Sequence, residues 1–149
     1  MSEIQMEIAA QGEVVCTVLM HLENGKISNA TACFAEKFAF KDRGIGLEFK
    51  NRERLAEFFQ KTRELYPDSS LQTDTILVSG EHVITEWTLK TTITEPFYGG
   101  LSRKVPVSLH GASVVRVDNG KITDWSDYYD GLTSRRTALA SYFTEWVGL

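Results

Sequence analysis

Between Leu71 and Asp130 the chain abandons helical period and alternates through four long runs, Leu71–Ser79, Glu81–Thr94, Lys104–Asp118 and Lys121–Asp130. They are rich in Val, Ile, Thr and aromatic residues, which fit a pleated, half-buried surface. Gly80 and the pair Asn119-Gly120 stand between consecutive runs, where a tight hairpin needs positive φ. A strand meander of this length dominates the fold. It presents an apolar face that other elements must cover.

Those covering elements come first in the chain. Ile8, Val15, Val18, Leu19 and Leu22 recur at helical spacing between about Ile4 and Leu22, and Asn24-Gly25 ends that helix with a pair tolerant of the left-handed region. Ser28 or Asn29 is positioned to cap a second short helix carrying Cys33 and Phe34. Phe38 to Asp42 alternates as a short strand and runs into a loop, Gly44 to Gly46. Asn51 then caps a third helix with Leu55, Phe58, Phe59 and Leu65 inward, closed by Pro67. A last helical period runs from Leu132 to Val147 through Leu139, Tyr142, Phe143 and Trp146. Helices followed by a meander predict a segregated α+β arrangement rather than a parallel βαβ sheet. The absence of repeats, low-complexity tracts or linkers predicts one domain over residues 1–149.

Composition narrows the function classes. With 149 residues and 42% hydrophobic side chains, the chain has material for a real core. Twenty acidic residues against 16 basic ones leave a formal charge of −4, and the cations are dispersed, so no basic face for nucleic acid is expected. No apolar run approaches the ~18 residues of a membrane span, and neither end carries a signal pattern; a cytoplasmic protein without a membrane partner is the expectation. Cys16 and Cys33 permit one disulfide, but two buried thiols fit a reducing compartment. His21, His82 and the two cysteines lack ligand spacing, so no metal is expected. Gly44-Ile45-Gly46 does not join a strand to a helix as a nucleotide loop would, and no Gly-x-Ser-x-Gly occurs.

Strand alternation sorts the side chains into two faces. Val83, Thr85, Trp87, Leu89 and Ile93 share one face of their run, as do Val107, Leu109, Gly111, Ser113, Val115 and Val117 of the next. On the last strand Trp125, Asp127 and Tyr129 line up, opposite Asp124, Ser126 and Asp130. Asp127 breaks the pattern by standing between two aromatics on a face that should be apolar. A carboxylate there must be hydrogen-bonded, paired or shifted in its proton affinity. Both a structural acid and a chemical one satisfy that requirement. Gly111 on the same face makes room either for a ligand or for a bend in the sheet. His110 falls on the opposite, outer face. The segment Glu95-Pro96-Phe97-Tyr98-Gly99-Gly100-Leu101 is either a plain hairpin loop or a lid closing with Phe97 and Tyr98.

Several stretches now resemble a known superfamily: Glu23-Asn24-Gly25-Lys26, Cys33-Phe34-Ala35-Glu36, Arg52–Phe59, Tyr66-Pro67-Asp68 and above all Val117–Asp130. Together they resemble the nuclear-transport-factor-2-like cone fold, in its SnoaL-like polyketide cyclase and limonene epoxide hydrolase branch. The resemblance implies a cone-shaped, strongly curved sheet, antiparallel or mixed, with helices on its concave face, a cystatin-like α+β barrel. It also implies a homodimer through the outer sheet face.

For chemistry the resemblance must be read position by position. The epoxide hydrolases use an Arg, an Asp two residues later and an Asp on the last strand; the matching positions here are Trp87, Leu89 and Asp127. Their helper Tyr and Asn become Phe40 and Asp42. The base of the related ketosteroid isomerases aligns with Asp42, but their oxyanion partners become Ser113 and an apolar residue near Val18. The cyclases need only the last-strand acid, which Asp127 keeps. The resemblance thus implies a cofactor-independent acid/base protein of cyclase or isomerase type acting on an apolar carbonyl compound. Asp127 and Asp42 would be its catalytic acids. Phe40, Trp87, Leu89, Leu109, Gly111, Ser113, Trp125 and Tyr129 would line its pocket. The alternatives are an epoxide hydrolase in which Asp42 and Asp127 divide the roles, and a non-catalytic module binding an apolar metabolite.

Overall fold

The computed structural model describes residues 3–96 and 98–131. Phe97 and the helical period expected from Leu132 to Val147 therefore lie outside the described residues. In chain order the elements are α1 (Glu3–Glu23), α2 (Ile27–Ala32), β1 (Phe34–Asp42), β2 (Leu47–Phe49), α3 (Arg52–Leu65), β3 (Ser70–Ser79), β4 (His82–Pro96), a single 3-10 turn (Tyr98–Gly100), β5 (Ser102–Asp118) and β6 (Lys121–Tyr129).

The strands form one sheet in the order β2-β1-β6-β5-β4-β3. The expected meander β3 to β6 is antiparallel throughout. β1 joins it parallel to β6, and β2 folds back antiparallel on β1, so the sheet is mixed and open at β2 and β3. The turns follow the residues expected to make them. Gly80 adopts φ 58° between the paired residues Ser79 and His82, and Asn119 and Gly120 adopt 48° and 73° between β5 and β6. Gly25, at φ 71°, ends α1, where Lys26 N donates to His21 O at 2.8 Å.

α1 lies over β3, β4 and β5, and α3 over β1 and β2. Between helices and sheet sits a core in which Val15, Val18, Phe34, Leu55, Val83, Val115 and Ile122 are fully buried. Each such side chain contributes roughly 1.5–3 kcal/mol of burial. This is the α+β layering the residue pattern predicts. Asn51 caps α3 as expected, its Oδ1 accepting from Arg54 N at 3.0 Å.

Four local expectations are corrected. Cys33 is the C-cap of α2 and Phe34 opens β1, so neither is helical, and Lys26 rather than Ser28 or Asn29 occupies the N-cap. β1 is longer than Phe38–Asp42 because a register irregularity between Phe34 and Ala39 interrupts the alternation; five positions of β1 span two of β6, from Ile122 to Asp124. Leu65, in the last turn of α3, is 71% exposed rather than inward. Cys16 is exposed, Cys33 half-buried, and both are free thiols.

Candidate active site

The pairing of the strands gathers the polar residues of the inner face into one row. Thr85 of β4 lies opposite Ser113 of β5, Ser113 opposite Asp127 of β6, and Asp127 beside Asp42 of β1. Thr85, Ser113 and Asp42 are all buried. The row below is apolar: Val83, Val115, Trp125, Phe40 and Phe49. The row above holds Trp87, Gly111 and Tyr129, and the next holds Leu71, Leu89 and Leu109. A carboxylate therefore stands in a narrow polar band between apolar layers.

Asp127 is bound unequally at its two oxygens. Its Oδ1 accepts from Ser113 Oγ at 2.5 Å and from Trp125 Nε1 at 2.6 Å. Its Oδ2 accepts no hydrogen bond from any described residue. Burial pushes the Asp127 carboxyl up to about 6; the Ser113 and Trp125 donors pull against that rise, and the negative charge of Asp42 adds to it. As a residue Asp127 is half-buried, so it is sheltered rather than sealed.

Asp42 is held differently. Its Oδ1 accepts from Ile45 N at 3.1 Å and its Oδ2 from the Tyr129 hydroxyl at 3.0 Å, while its carbonyl accepts from Gly46 N at 2.8 Å. The side chain thereby braces the β1–β2 turn. Burial, and then the bond to Asp42, raise the Tyr129 phenol above its ordinary value. Tyr129 lies on Gly44, where a Cβ would overlap its ring, and its centroid is 6.0 Å from that of Trp87.

The remaining expected lining residues divide into two groups. Trp87 Nε1 donates to Ser113 Oγ at 2.9 Å, and its six-membered ring occupies the space a side chain at Gly111 would need. Gly111 thus gives way to an indole of the neighbouring strand. Trp125 is the second donor to Asp127. Phe40, 3% exposed, packs in an aromatic cluster with Phe34, Phe49, Phe58, Phe59 and Trp125, stacked on the last at 6.2 Å. Leu89 and Leu109 pair with each other beyond the Trp87 row and are half-buried. Thr85 is the member of the polar band that was not singled out from sequence. Its signal was the one that marked Asp127, a polar side chain in an inward position between apolar ones. Among the described residues no three His, Cys, Asp or Glu side chains converge as metal ligands would.

An open mixed sheet backed by helices, with an acid at the centre of its inner face, defines the class: a nuclear-transport-factor-2-like, ketosteroid-isomerase-like α+β protein. Solved structures agree on that fold. A protein of Catenulispora acidiphila with a ketosteroid isomerase-like fold, solved with trimethylamine, has a TM-score of 0.72 at 19% identity, over 84% of this chain and 91% of that one. IdmH of Streptomyces antibioticus, a candidate polyketide cyclase, gives 0.74 at 18% over 86% and 97%. An epoxide hydrolase of M. tuberculosis similar to the limonene enzyme gives 0.71 at 21% over 96% and 99%. No curated protein matches the chain. Residues 13–137 match the SnoaL-like polyketide cyclase family, and the chain belongs to that family.

Proposed function

We propose that the protein is a cofactor-independent acid/base catalyst in which Asp127 moves a proton beside a carbonyl group of a small apolar substrate. The observation that carries this reading is the inequality of the two Asp127 oxygens, one committed to Ser113 and Trp125 and the other accepting nothing from the described residues. A purely structural acid spends both oxygens on the fold, as Asp42 does.

With a carboxyl near 6, Asp127 is mainly ionised at neutral pH yet still a competent acid once protonated. Oδ2 takes the proton from a carbon next to a carbonyl, and the released electron pair moves into that carbonyl as an enolate. In a cyclisation the enolate carbon bonds to a second carbonyl carbon of the same molecule, and protonated Asp127 returns its proton to the new alkoxide. In an isomerisation the proton returns to a different carbon. No proton is consumed in either case. Trp87 spends its indole N–H on Ser113, and Tyr129 spends its hydroxyl on Asp42, so neither is free to serve an enolate. That favours a substrate which spreads the charge itself, a 1,3-dicarbonyl compound, over a simple ketone that needs an oxyanion hole.

Epoxide hydrolysis fits less well. It requires an activated water and a separate protonated donor. Trp87 and Leu89 carry no ionisable group, and both oxygens of Asp42 are already occupied.

The test is turnover of a panel of poly-1,3-dicarbonyl esters by wild-type protein and Asp127→Asn. General acid/base chemistry predicts a loss of ~10²–10⁴-fold in the variant. Turnover at the wild-type rate in Asp127→Asn would sink the reading. Tight binding of a panel compound by both proteins, with no conversion by either, would instead establish a binding module.

A further inference from the structure

Ser113 lies directly across from Asp127 and is 1% exposed. Its hydroxyl has one proton to give and two lone pairs to accept with, whereas an indole N–H only donates. Trp87 Nε1, reaching over from β4, occupies the accepting side of that hydroxyl at 2.9 Å. Among the described residues the Ser113 proton then has one acceptor, Asp127 Oδ1 at 2.5 Å. Trp87 is fixed in its turn, because it lies on Gly111 and beside the ring of Tyr129. Orientation is handed on from backbone to indole to hydroxyl to carboxylate.

We propose that Ser113, locked by Trp87, is a positioning residue that commits one oxygen of Asp127 as acceptor and leaves Oδ2 as the single atom exchanging a proton with substrate. The catalytic half of this rests on the acid/base reading above; the commitment of Oδ1 is a property of the free protein. Among the described residues few titratable groups act on the site. β1 presents Asp42, β6 presents Tyr129, and Tyr66 at the end of α3 acts on Tyr129. β4 and β5 present Thr85, Trp87, Gly111 and Ser113 in the adjoining rows, and α1 presents Val15, Val18 and Leu19 to the core. Lys41, Arg43, Arg116 and Asp124 line a cleft on the outer face.

The experiment is a carboxyl-¹³C NMR titration of Asp127 in the full chain without substrate. Ser113→Ala removes a donor to the charged form and is expected to move the midpoint upward by on the order of one pH unit. Trp87→Phe keeps the Ser113 hydroxyl but frees it to turn, so its shift has the same sign and is smaller. Asp42→Asn removes a neighbouring negative charge and shifts the midpoint the other way. An unmoved or lowered midpoint in Ser113→Ala overturns the proposal, and an unmoved one in Trp87→Phe overturns the lock. With a turned-over substrate, the acid limb of kcat/KM should follow the Ser113→Ala shift. If the midpoints move as expected while Asp127→Asn keeps its turnover, the acid/base reading fails and the commitment of Oδ1 stands.

Discussion

Asp127 is under two opposed demands. Its surroundings are apolar enough to disfavour the charge, yet two donors are aimed at one of its oxygens. The desolvation wins, so the folded protein holds the Asp127 proton more tightly than the unfolded chain does. The folded carboxyl lies near 6 against 3.8 unfolded. Its contribution therefore favours folding below about pH 4 and becomes a cost as pH rises through about 6. Two pH units correspond to about 3 kcal/mol, and partial exposure reduces that to on the order of 2 kcal/mol. Asp127→Asn keeps a carbonyl oxygen for Ser113 and Trp125 without the charge. It should be more stable than wild type at pH 8 by on the order of 2 kcal/mol, the gain vanishing near pH 4. Urea unfolding at the two pH values checks this; a variant less stable at pH 8 would mean that the donors outweigh desolvation. Alternation alone makes the anomaly of Asp127 legible in the sequence. The identity of its partners is not, because Ser113 is 14 positions away and Trp87 another 26.

At the scale of elements, the site depends on how closely β4 and β5 carry their inner side chains. Trp87 and Gly111 are directly paired, and the indole fills the volume a side chain at Gly111 would claim. Gly111→Ala must displace Trp87, break its bond to Ser113 and loosen the Asp127 geometry together. The expected cost is about 1–3 kcal/mol of stability, the usual range for overpacking, read as a lowered midpoint in denaturant. Near-UV circular dichroism of the tryptophans should change with it. Retention of wild-type stability would mean that Trp87 has an equally good second position. The sequence anticipates the four meander strands and their turns, since alternation and turn residues act locally. It does not reveal β2, whose three residues form a strand only because β1 offers an edge. It also shortens β1, because the irregularity between Phe34 and Ala39 hides the period of two.

For the whole molecule, the inner face is covered by α1 and α3 while the outer face keeps Leu77, Ile84 and Tyr128 between 40% and 59% exposed. Beside Tyr128 a cleft of about 360 Å³ is lined by Lys41, Arg43, His82, Arg116 and Asp124. A face carrying exposed apolar side chains and charges of both signs is of the kind that can meet its own copy across a two-fold axis. The homodimer expected through this face predicts that wild type sediments as a dimer at micromolar concentration and that Ile84→Glu sediments as a monomer. A wild-type monomer under the same conditions would refute it. No helix among the described residues is long and apolar enough to cross a membrane.

By itself the sequence determined the α+β class, the four long strands and the presence of one acid on an apolar face. Each follows from local periodicity, which one strand or helix expresses without help from the rest of the chain. Only the tertiary structure decided that β1 lies parallel to β6, bringing Asp42 and Asp127 side by side from positions 85 residues apart. It also decided that Gly111 exists for Trp87, that Trp87 turns Ser113, and that Ser113 and Trp125 meet at the same oxygen of Asp127. Those choices depend on strand order and register, which are set by the packing of the whole sheet against its helices.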